Sequence, residues 1–177
     1  DQILIIAIDN HSLSELGRWP WPRDYHAQML DQLARAKPKV IGYDVLFIEE
    51  EAADPRLAQA IEQAGNVYLP ALIDAPGTNG QPWAVQLPVG DLTKAAAGIG
   101  HVNLTLDSDG VVRRLPLYVQ TGPVTWPHLA MHLGGKVVDK GDHIHPRPPM
   151  NAASDTLVLL DEEAIAFHGG PGSSRTL

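Results

Sequence analysis

Two short apolar runs rich in β-branched residues, Ile3–Ile8 and Val40–Phe47, stand on either side of a helical pattern from Arg23 to Ala36. Few folds accommodate that spacing. Continuous apolar runs of this length read as strands buried on both faces, which are usually central in an α/β sheet. Between them Ala27, Leu30, Leu33 and Ala34 recur at helical spacing, with Met29 beside the stripe. Asp24 suits the N-terminal dipole of that helix and Lys37-Pro38 ends it. A strand, crossover helix and second strand normally give parallel neighbours with a right-handed connection. The expected fold class is therefore α/β: a single domain with a mixed, partly parallel sheet flanked by helices, plus a C-terminal β-hairpin region.

The remaining elements follow from local signals. His11–Leu16 reads as a helical turn capped by Ser12, with Glu15 completing a capping box and Gly17 as the stop. Asp54 is expected to cap a helix that has Pro55 at its first position, Leu57, Ala58, Ile61 and Ala64 inward, and Gly65-Asn66 at its end. Val67–Ile73 reads as a third strand, Asp74–Pro88 as an irregular loop, and Asp91–Ala97 as a short helix. His101–Leu106 and Val111–Val119 flank Asp107-Ser108-Asp109-Gly110, the pattern of a β-hairpin. Pro116 places the second of these at an edge or a break. Trp126-Pro127 is expected to open a helix through Leu133, the run from His143 to Asn151 to be loop, and Leu157–Leu160 and Ala164–Phe167 to be short strands.

Charge and composition narrow the function classes. Against 13 basic residues stand 21 acidic ones, a net charge of −8, and no basic stripe is present to track phosphates, which argues against nucleic acid as a partner. With no cysteine there is no disulfide, thiolate metal site or thiol nucleophile. The sequence lacks a G-x-S-x-G elbow, and Gly169-Gly170-Pro171-Gly172 lacks the Lys and Ser/Thr of a phosphate loop. No cofactor is implied. The Asp107–Gly110 turn is not a calcium loop, because its twelfth position is Tyr118 rather than glutamate. His143 and His145 at strand-like spacing offer only a weak transition-metal pair.

Candidate site residues cluster at strand ends and in one unusual run. Gly17-Arg18-Trp19-Pro20-Trp21-Pro22-Arg23 sets two tryptophans between prolines and arginines. Rigid extended geometry there would send the Trp19 and Trp21 rings in opposite directions, either as a wedge capping the core or as aromatic planes for a ligand with Arg23 beside them. Asp9 ends the first strand and Asp44 lies in the second, so their carboxylates are expected to converge near Arg23 and His26. That cluster reads either as a hard-cation site, with Glu49 or Asp107 added, or as a core network neutralised by Arg23 or Arg114. Arg113 and Arg114 should face opposite sides of a strand, with Arg114 inward beside Asn103.

Asp9 after an apolar strand, GRWPWPR with His26, the phrase VIGYDVLFIEE at Val40–Glu50, and GHVNLTLDSDGVVRRLPLYV at Gly100–Val119 occur in one order. Together they resemble the type-2 CHASE domain, from Ile3 to about Gly172. The resemblance implies one extracytoplasmic (periplasmic) sensory domain over residues 1–177, a piece of a longer membrane receptor. It implies a non-enzymatic input module that takes an unknown small-molecule or ionic stimulus and relays it to a nucleotide cyclase or histidine kinase. It also implies a homodimer in the full-length receptor, attached to the membrane through flanking segments. It supplies no binding residues. The rival reading is a metal-dependent hydrolase in which Asp9 and Asp44 hold the ion and His26 is the general base.

Overall fold

The computed structural model describes residues 3–74, 84–134 and 162–164. Helix α1 (Asn10–Leu16) is capped three residues earlier than expected, by Asp9 rather than Ser12, and Ser12 rather than Glu15 closes the capping box. Asp9 is the N-cap, its carboxylate accepting from the Ser12 N–H while the Ser12 hydroxyl accepts from the Asp9 N–H, a reciprocal capping box. Helix α2 (Arg23–Ala36) ends on Lys37 in left-handed geometry, and its buried face includes Ala27 and Leu30. Strand β1 (Ile41–Gly42) is far shorter than Val40–Phe47. The Val45 N–H turns back to the Tyr43 carbonyl at 2.9 Å, and the chain leaves the sheet there.

Helix α3 (Asp54–Ala64) has Ala53 rather than Asp54 at its N-cap and stops at Gly65, whose φ of 72° favours glycine. Strand β2 (Val67–Asp74) is the spine of the sheet. It pairs parallel with β1 at its start and antiparallel with β3 (Ala84–Gln86) at its end, within the span expected to be all loop. Helix α4 (Gly90–Ala95) leads into β4 (Gly98–His101), parallel to β2. The mixed, partly parallel sheet flanked by helices is thus present. Leu57, Ile61, Val67, Leu69, Leu92 and Ala27 are fully or almost fully buried between the sheet and α2, α3 and α4.

Three further expectations need correction. Residues 3–9 form no strand, and their aliphatic side chains are exposed. The hairpin around Asp107–Gly110 reduces to its turn, with the Gly110 N–H on the Asp107 carbonyl, and a single bridge between Thr105 and Arg114. Beyond it, β5 (Arg114–Pro116) pairs instead with β8 (Glu162–Ala164), so Pro116 does end a strand. The hairpin that forms is β6 (Tyr118–Thr121) with β7 (Val124–Pro127), turning at Gly122 with φ 56°. Trp126 and Pro127 therefore lie in a strand, and α5 (Leu129–Leu133) starts only after His128, whose Nδ1 accepts from the Ala130 N–H. The readings at residues 143–151 and 157–160, the glycines at 169–172, and most of Ala164–Phe167 lie outside the described residues.

Helix α5 covers the face of the sheet opposite α2, and glycine makes its seat. A Cβ on Gly100 would stand 2.6 Å from the Leu129 Cα and 2.7 Å from its nitrogen, both backbone atoms that cannot swing aside. Gly100→Ala is expected to cost about 1–3 kcal/mol by overpacking, measured by urea denaturation. Gly42→Ala meets only the flexible end of Leu133 and should cost less.

Candidate functional site

Arg23 opens α2 immediately after Pro22, and that position aims its guanidinium across the start of α3. Its Nε donates to Asp54 Oδ1 at 2.8 Å, its Nη2 to the Glu49 carbonyl at 2.8 Å, and its Nη1 pairs with Glu51 Oε1 at 2.9 Å. The guanidinium carbon stands 4.6 Å from the centre of the Phe47 ring. Asp54 returns a second bond by accepting from the Glu51 N–H at 2.7 Å. Both Arg23 and Asp54 are buried. A buried charge is tolerated only when paired and hydrogen-bonded, and here both conditions hold. Arg23 is salt-bridged, but to Asp54 and Glu51; the expected network with Asp9 and Asp44 does not form.

The tryptophan run folds against this network. The chain bends at residues 18–20 instead of running extended, and the Trp19–Pro20 peptide is cis. The two indoles do not diverge: they meet edge to face with centroids 5.4 Å apart, and Trp19 also meets the His26 ring at 5.6 Å. Trp21 is buried and donates its Nε1–H to the Gly17 carbonyl at 2.9 Å. His26 shares a 2.7 Å hydrogen bond with the Tyr43 hydroxyl and packs edge-on against Phe47. Burial, and then the nearby Arg23 charge, hold His26 below its usual pKa, while burial raises that of Tyr43.

Trp19 and Trp21 differ in burial. Trp21 is a core wedge, whereas Trp19 keeps 37% of its surface in water. Trp19→Ala is expected to lower stability by about 1–2 kcal/mol in denaturant melts, below the 3–5 kcal/mol usual for a fully buried aromatic.

The other sequence candidates scatter. Asp9 is exposed on the α1 cap, its carboxyl held low first by the Ser12 backbone bond. Asn103 uses its side chain as a strand would: Oδ1 accepts from the Ile73 N–H at 3.0 Å and Nδ2 donates to the Ile73 carbonyl at 2.6 Å. Arg114 is exposed rather than inward, and Arg113 binds Asp107 and Asp109 on the turn. Glu49 contributes its carbonyl and Asp107 its ion pair, so neither joins Asp9. Among the described residues no group of three or more His, Asp or Glu side chains could hold a metal ion.

Asp44 lies in a second region that sequence reasoning did not assemble. It lines a groove of about 270 Å³ with Gly42, Leu104, His128 and Leu133. The His128 ring meets the buried His101 ring edge to face at 4.9 Å. The Asn103 N–H donates to His101 Nδ1 and the Ala130 N–H to His128 Nδ1, so each neutral ring carries its hydrogen on Nε2. Neither Nε2 has a hydrogen-bond partner among the described residues. Burial, with the neighbouring His128 second, pushes His101 down to about 3; burial also lowers His128, against the opposing pull of Asp44. The sequence signal was faint: His101 stood in the GHVN phrase, but nothing local linked it to His128.

Among the described residues no helix is long and apolar enough to cross a membrane. The family model for the CHASE2 domain matches residues 1–172. CHASE2 domains are extracytoplasmic sensory parts of membrane receptors. No curated protein and no solved structure matches the chain. With the match running almost end to end, and the motif residues Trp19, Trp21, Arg23 and His26 packed into one structural hub, the chain belongs to the CHASE2 domain family.

Proposed function

We propose that residues 1–177 form one extracytoplasmic input domain of a membrane-anchored receptor. It responds to a small-molecule or ionic stimulus and relays it to a cytoplasmic effector such as a nucleotide cyclase or histidine kinase. The observation that carries this reading is the CHASE2 match over residues 1–172. The receptor works as a homodimer, because relative movement of paired membrane helices is a two-state element that a stimulus can bias. The groove beside Asp44 and His128 is the place offered to a stimulus, since it combines apolar walls with a carboxylate. The rival hydrolase gains no support: Asp9 is engaged by Ser12 at a helix cap, and His26 is buried against Tyr43.

The test is the complete reading frame together with a topology reporter active only outside the cytoplasm. Apolar spans flanking the domain, a cytoplasmic effector and an active reporter fused at this domain are the expected result. Soluble flanks, or a reporter active only inside, would overturn it.

A further inference from the structure

Between Ile3 and Ile8 five aliphatic side chains stand in water, from 42% exposed at Ile8 to 90% at Ile3. Burying a side chain of this kind is favourable by about 1.5–3 kcal/mol each, so an all-apolar run favours a place covered on both faces. The sheet has such a place. Strand β1 ends the strand order, and among the described residues no strand lies on its outer side. The Ile41 and Tyr43 N–H groups donate toward β2, to the Asn66 and Tyr68 carbonyls at 3.0 Å each. Successive residues of a strand alternate their hydrogen-bonding direction, so the Gly42 N–H and carbonyl point outward, toward the open edge.

Both faces beside that edge are apolar. On one, Ile41 and Tyr43 are buried in the core with Ala27 and Leu30 of α2. On the other, Gly42 lies under Leu133, next to the groove with exposed Leu104. The segment is joined to β1 through α1 and α2, the connection of a right-handed strand–helix–strand unit, which sets a parallel direction.

We infer that Ile3–Ile8 docks as an added parallel strand on the outer edge of β1 of its own chain, and that the structure holds the undocked arrangement. Docking pairs the Gly42 amide, covers the aliphatic side chains that lie beside Ile41–Tyr43, and carries Asp9 toward the end of the sheet where Asp44 lies. The inference does not depend on the sensor reading.

The absence of native cysteine makes a crosslinking test direct. The 177-residue chain is made with Ile6→Cys or Ile8→Cys paired with Asp44→Cys on the edge, and, as a control, with Gln59→Cys on exposed α3. All these positions are exposed, so the fold should persist. A short bis-maleimide is expected to join the Asp44→Cys pairs within one chain and to leave the Gln59→Cys pairs unjoined. Hydrogen exchange should show the Gly42 amide slowed at least roughly tenfold relative to Ile6→Lys, which places a charge in the docked strand. Crosslinking between chains would overturn the proposal in favour of strand addition to a second copy. Equal crosslinking of edge and control pairs, no crosslinking, or an unchanged Gly42 amide in Ile6→Lys would overturn it outright.

Discussion

Asp54→Ala is expected to cost about 3–5 kcal/mol, because it leaves the buried Arg23 guanidinium without its closest carboxylate. The Glu49 carbonyl and Glu51 remain as partners, which places the loss toward the lower end of that range. The Asp54 carboxylate also holds the Glu51 N–H, so the approach to α3 loosens in the same variant. Glu51→Ala is the internal comparison. Its carboxylate is 42% exposed, and an ion pair so open to water contributes at most about 1 kcal/mol. Urea denaturation of both variants at pH 7 separates the cases. If Asp54→Ala lost no more than Glu51→Ala, the guanidinium would be solvated and the network only decorative.

Acid should unfold this domain through its buried imidazoles. The unfolded His101 binds a proton near pH 6.5, whereas the folded one resists protonation down to about 3. A group with a depressed folded pKa contributes stability that is present above the unfolded pKa and is lost as pH falls below it. Each pH unit below 6.5 then removes about 1.4 kcal/mol for His101 alone, or about 3 kcal/mol by pH 4. His26 and His128 are shifted the same way and steepen the fall. In His101→Asn the side-chain oxygen can still accept from the Asn103 N–H, but nothing titrates. That variant should lose about 3 kcal/mol less than the parent between pH 7 and pH 4, read from denaturant midpoints. Parallel curves for the two proteins would remove His101 from the account.

Helices α2 and α3 and strand β2 were legible because their signals are local: apolar spacing, Pro55 in the first turn of α3, and Gly65 past its end. What failed depends on distant partners. The Ile3–Ile8 run has the chemistry of an interior strand, but occupancy of the sheet edge is decided by tertiary packing. Strand β3 was hidden in a Pro- and Gly-rich span because three residues are enough when β2 supplies the partner. Arg23 was visible as a charge needing company, yet Asp54 had a complete local explanation as a helix cap, which masked it as the answer. His101 and His128 come together only because β4 lies against the start of α5, a contact that Gly100 permits and no sequence period announces.

The grip of Arg23 on α3 also has a mechanical consequence. One guanidinium at the first turn of α2 holds Asp54 at the first turn of α3 at 2.8 Å and Glu51, just before that helix, at 2.9 Å, whereas sliding one helix past the other by a turn is a step of about 5.4 Å. Such a slide cannot happen with the clamp intact. Any one-turn slide of α2 along α3 therefore has to break the Arg23–Asp54 bond, so the clamp opposes slippage between the two helices.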